Sequence, residues 1–164
     1  MTRLALDTAT DRLSVALGTS AADAVEVHVD GARRHAAAIL PSLDRLLGER
    51  GILLADVTDV VVADGPGSFT GLRVGAAVAK ALAAPRGVTL GAAPALAARA
   101  AAAGRPGETV VSVLDALRGE VYAAAYRVTA AGIEPVLAAA ARTPAALRAA
   151  LAAPDVVVGE APVA

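Results

Sequence analysis

Apolar and polar positions alternate in the first stretch of the chain, and the period then changes. Arg3 to Leu17, RLALDTATDRLSVAL, runs apolar to Asp7, crosses a short polar turn and resumes alternation at Leu13. A period of two broken by a turn predicts a β-hairpin. Ala24 to Val29, AVEVHV, alternates likewise and adds a third strand. From Ala36 to Arg50 the spacing becomes helical, with Ile39, Leu40, Leu43, Leu46 and Leu47 apolar and Gly48 and Gly51 weakening the end. Val57 to Ala63, VTDVVVA, predicts a buried strand. Thr70 to Ala84 reads as a helix stopped by Pro85. Thr89 to Ala92 is a short strand, and Ala95 to Ala103 a helix closed by Gly104.

The pattern then starts again. In VLDALRGEVYAAAY, Val113 to Tyr126, Asp115 sits as Asp7 does in the first segment. The spacing from Asp7 to Leu13 equals that from Asp115 to Val121. Ile133 to Leu137 follows at the offset of Val25 to Val29, with Glu134 on Glu26. A short helix over Pro144 to Ala152 comes next, and DVVVGE from Asp155 echoes DVVVADG from Asp59. Several matches in order predict an internal duplication. Each unit reads strand, strand, strand, helix, strand, helix, which implies two α/β lobes, each a mixed sheet with covering helices. The expected division is 1–106 and 107–164. The second copy stops after its fourth strand without a covering helix, so the second lobe is expected to be shortened and less stable.

Composition narrows the functional classes. The chain has 164 residues, 56% hydrophobic and 19% charged, enough for a packed core. Aromatics are 2%, so alanine and valine must fill that core. A net charge of -1 disfavours direct nucleic-acid binding. There is no cysteine, which excludes disulfides and thiolate chemistry and fits a cytoplasmic setting. Asp7 and Asp11 break any leader-like run, and no uncharged stretch is long enough to span a bilayer.

The block ADGPGSFTGLR, Ala63 to Arg73, raises the question of phosphate. A P-loop needs lysine after its second glycine, yet none follows until Lys80. Gly65, Gly67 and Gly71 miss the dinucleotide fingerprint by one residue. What remains is mechanical: Gly65, Pro66 and Gly67 make a tight turn, and Ser68 caps the next helix. A helix N-terminus still attracts anions, which leaves phosphate contact open.

Between Thr70 and Ala84 only Arg73 and Lys80 are charged, two turns apart on one stripe. Gly71 and Gly75 permit close backbone approach on another. Each glycine costs a helix about 1 kcal/mol against alanine, so tight packing should compensate. A helix this apolar is buried on two sides. The second cover is another subunit, or the monomer itself. With Ala36 to Arg50 it could supply half of a four-helix interface. The candidate partner-binding residues are Ile39, Leu40, Leu43, Leu47, Leu72, Arg73, Ala76 and Lys80, with Gly65, Pro66, Gly67, Ser68 and Gly71 as the turn.

LALDTATDRLSVAL, RRHAAAILPSLDRLL, DGPGSFTGLRVGAAVAKALA and VLDALRGEVYAAAY together resemble the TsaB (YeaZ) family, over nearly the whole chain. The resemblance implies the duplicated actin-like, ribonuclease-H-like (ASKHA) fold with five-stranded mixed sheets. It implies a non-catalytic partner in threonylcarbamoyl modification of tRNA adenosine 37. A catalytic paralogue, TsaD, and an ATPase, TsaE, would be its partners, with tRNA met only through the complex, and homodimers would form through first-lobe helices. The family usually continues for several tens of residues beyond this length. Catalytic relatives bind metal through H-x-x-x-H, but His35 is followed four residues later by Ile39, and His28 lies on the preceding strand. Asp-x-Gly phosphate turns of fold relatives are absent at Asp7-Thr8-Ala9 and Asp115-Ala116-Leu117, where the carboxylates are expected to brace the turns. No catalytic, cofactor or metal residue is therefore assigned. The competing readings are a sugar-kinase-type phosphotransferase and a metallopeptidase.

Overall fold

The computed structural model describes residues 1–31, 35–151 and 153–160. The chain divides by packing into two units, Met1–Ala93 and Pro94–Ala164. In the first, β1 (Thr2–Asp7), β2 (Arg12–Gly18) and β3 (Val25–Asp30) form an antiparallel meander. Helix α1 (His35–Arg50) leads to β4 (Val57–Gly65), which runs parallel to β1. Helix α2 (Phe69–Ala83) and β5 (Thr89–Pro94) complete a five-stranded sheet, ordered β3-β2-β1-β4-β5.

Alternation decides the inner face. Leu4 and Leu6 of β1 lie opposite Leu17 and Val15 of β2 and beside Val60 and Val62 of β4. These side chains pack on Ile39, Leu43 and Leu46 of α1 and on Ala79 and Ala83 of α2 in one core. Small alanines on α2 let that helix sit close to the sheet, as a chain poor in aromatics requires.

The second unit holds α3 (Ala95–Ala103), β6 (Thr109–Leu117), β7 (Glu120–Thr129), β8 (Gly132–Arg142), α4 (Pro144–Ala150) and β9 (Val156–Gly159). Its sheet is ordered β8-β7-β6-β9, with β9 parallel to β6. Val111, Val113, Val121, Ala123 and Ala125 pack on Leu147 of α4. On the opposite face, Leu96 and Ala100 of α3 cover Leu114, Ala124, Val110 and Val128. The duplication is thus real in architecture: meander, helix, parallel return strand. Among the described residues the second sheet has four strands, as expected of a copy that stops after its fourth strand.

Two sequence expectations need correction, and a third cannot be compared. The division lies at 93/94 and not at 106/107, because α3 packs on β6 and β7 and belongs with the second sheet. The expected end of α4 at Ala152 falls outside the described residues. Asp7 and Asp115 are also not equivalent in register. Asp7 lies opposite Ser14, whereas Asp115 lies opposite Val121, the counterpart of Leu13. A one-residue slip moves a side chain to the other face of a sheet. The irregularity between Asp115 and Leu117 absorbs that slip in the second hairpin.

Candidate docking face

The site is built from the C-terminal end of β4 outward. Gly65 has a φ of 111°, a conformation that favours glycine, and its peptide bond to Pro66 is cis. Ser68 then caps α2, its hydroxyl accepting a hydrogen bond from Gly71 N–H at 3.2 Å. That role follows the sequence expectation. The next turns of α2 lie directly on the β1–β2 turn. Ser68 N–H donates to Ala9 O at 2.7 Å, and Thr8 Oγ1 donates to Gly71 O at 2.8 Å. A Cβ at Gly67 would strike Ala9 O, one at Gly71 would strike Thr8 O, and one at Gly75 would strike Thr8 Oγ1. Close packing therefore does compensate the helical glycines. The neighbour is the hairpin turn of the same unit.

The opposite side of α2 faces outward. Phe69, Arg73, Ala77 and Lys80 are exposed. Phe69, the chain's one phenylalanine, is 74% exposed. The Arg73 guanidinium lies 5.5 Å from its ring centroid, within range of a cation–π contact. Leu40 of α1 is also exposed, at 51%. Leu72 and Ala76 are half-buried.

Ile39, Leu43 and Leu47 are not available to a partner. All three are buried in the core of their own unit, which corrects the sequence expectation for them. The helical stripe they form is real, but it points at the sheet. Phe69 and Thr8 were missed. Phe69 was legible as a large aromatic next to the cap, four residues before Arg73. Thr8 carried no signal, since a threonine in a polar turn reads as solvent-exposed.

The histidines and turn carboxylates have local partners. His28 Nδ1 is 2.9 Å from Ser14 Oγ of β2, and its Nε2 is 3.0 Å from Glu26 Oε1 on the same edge strand, β3. His35 is buried, with Nε2 3.2 Å from Asp11 O. Asp7 Oδ1 accepts from Ala9 N–H, and Asp115 Oδ1 from Leu117 N–H, each at 2.8 Å. Both carboxylates brace their turns, as expected. No group of three or more metal-ligating side chains occurs among the described residues. Among them also, no helix is long and apolar enough to cross a membrane.

The family model for TsaD, tRNA N6-adenosine threonylcarbamoyltransferase, matches residues 29–156. The chain belongs to that family, on its TsaB (YeaZ) branch. The TsaB relative of Haemophilus influenzae, a tRNA threonylcarbamoyladenosine biosynthesis protein, is 39% identical over 74% of this chain and 52% of its own length. The TsaB protein of the same description from Bacillus subtilis is 34% identical, over 77% and 56%. The chain thus spans about half the length of the curated relatives it matches. The solved structure of YeaZ from Pseudomonas aeruginosa superposes with a TM-score of 0.83 at 28% identity, covering 96% of this chain and 84% of that one. The two mixed sheets are thus those of the YeaZ fold.

Proposed function

We propose that this TsaB-family chain is a non-catalytic scaffold for threonylcarbamoyl transfer to adenosine 37 of tRNA. It acts by pairing with a TsaD-like catalytic paralogue, and a TsaE-like ATPase joins the pair. The observation that carries this reading is the outward stripe of α2, where Phe69, Arg73 and Lys80 stand on a helix pinned from beneath. A helix held so firmly against its own sheet presents those side chains in one arrangement, which lowers the ordering cost of association. Activation then follows from differential binding: the partner's active state is stabilised in so far as it fits this face better than the inactive one. tRNA is met through the complex, in keeping with the net charge of -1. The same face also supports a homodimer in the absence of the partner.

The deciding experiment is light scattering of the chain alone, of the purified catalytic paralogue, and of their mixture. A one-to-one increase in mass is expected. Phe69→Asp, which leaves the core untouched, is expected to weaken that association by about 30-fold or more, as loss of a central aromatic anchor does. Unchanged association in Phe69→Asp would remove α2 from the interface. Stoichiometric binding of Mg-ATP or zinc with turnover by the chain alone would replace the scaffold reading with an enzymatic one.

A further inference from the structure

The geometry points to Thr8 as the positioning residue of α2: the β1–β2 turn sets the rotation of the helix and so the direction in which Phe69, Arg73 and Lys80 project. Its relevance to docking rests on the function proposed above; the structural claim does not.

Thr8 is fully buried, though it lies in a polar turn between Asp7 and Ala9. The Asp7 carboxylate fixes that turn by accepting from Ala9 N–H. Two neighbouring groups of the turn then reach α2. Ala9 O receives Ser68 N–H at the cap, and Thr8 Oγ1 donates to Gly71 O one turn further on. Gly75, a second turn along, rests on the same Oγ1. Gly71, Gly75, Ala79 and Ala83 are the buried positions of α2, four residues apart. At 100° per residue, Phe69, Arg73 and Lys80 fall on the opposite side. Contacts at the cap, first turn and second turn leave no free rotation about the helix axis. Valine at position 8 would keep the shape and lose the donor. Serine would keep the donor and lose a methyl group.

The chain has no native cysteine, so paired spin labels report without background. Asp44→Cys on α1 and Ala77→Cys on α2 are both exposed positions within the first unit. Pulsed dipolar spectroscopy should give a narrow distance distribution in the parent and in Thr8→Ser. Thr8→Val should shift or broaden it. Amides of the first two turns of α2 should exchange about tenfold faster in Thr8→Val, the loosening expected from one lost buried hydrogen bond. Thr8→Ser should restore parental exchange there even if its melting temperature is lower. An unchanged distribution in a folded Thr8→Val, or a shift in Thr8→Ser, would reduce Thr8 to a core filler. If Thr8→Val does not fold, Thr8→Ser alone decides by the same criterion. Association with the paralogue adds a separate arm: Thr8→Val should weaken it about tenfold and Thr8→Ser should not. Failure of the parent itself to associate would defeat the scaffold reading, while the label distances would still decide the role of Thr8.

Discussion

Asp23 shows how a single half-buried carboxylate organises a connection. Its oxygens accept from Thr19 N–H and from Ser20 N–H and hydroxyl, and it pairs with Arg50 at the end of α1 at 3.0 Å. The Thr19 amide, followed by the Ser20 hydroxyl, holds the carboxyl well below the usual carboxylate range. Because its folded value is depressed, its contribution is complete above the unfolded value. It is lost as pH falls through the folded value. Asp23→Asn should therefore lower the melting temperature by a few degrees at neutral pH. The gap from the parent should narrow only below the ordinary aspartate range of about 3.9. A gap already closed at mildly acidic pH would contradict the assignment. Tyr126 moves the other way, its phenol raised by burial on the α3 side of the second sheet. Ultraviolet titration should show one tyrosine ionising above its normal range, and Tyr126→Phe should abolish that step.

The helices separate what was legible in the sequence from what was not. Periodicity gave the apolar stripe of α1, and the stripe exists. It could not say what the stripe meets, because a sheet face and a partner helix demand the same residue types at the same spacing. Ile39 and Leu43 went into the core for that reason, and Leu43→Asp should unfold the first unit and not selectively prevent docking. The glycines of α2 were read correctly as close-approach positions, but their neighbour, the Thr8 turn, is more than sixty residues away in sequence and no local pattern names it. The two kinds of helical glycine can be told apart experimentally. Gly48 in α1 has open space around its Cα, so Gly48→Ala should stabilise by about 0.5–1 kcal/mol through backbone entropy. Gly75→Ala makes the same propensity gain but drives a methyl group into Thr8 Oγ1. Overpacking of that kind costs roughly 1–3 kcal/mol, so destabilisation should win. Thermal melts of the two variants should shift in opposite directions.

At the scale of the whole chain, duplication was legible because a repeated alternation survives drift in residue identity. The division between units was not, because α3 is a run of small apolar residues that fits either sheet equally well by pattern. The repeat also allows a direct comparison of matched positions. Val60 of β4 lies beside Leu4, and Val157 of β9 lies beside Val111, its structural counterpart. Val60 is fully buried in the core that includes Ala79 and Ala83 of α2. Val157 is 56% exposed, and no counterpart of α2 covers it among the described residues. The same residue type at the same register should therefore carry different energies in the two units. Val60→Ala should cost roughly 2 kcal/mol, combining lost transfer energy with a cavity. Val157→Ala should cost a small fraction of that, since its side chain is largely hydrated already. Native-state hydrogen exchange should rank the strands in the same order. Amides of β9 that donate to β6 should open at lower free energy than those linking β4 to β1, because β9 is covered on the Val156 and Val158 side alone and its opening exposes less apolar surface. Equal protection of the two strands, or equal costs for the two valines, would mean that β9 is covered in solution by a further element of the protein.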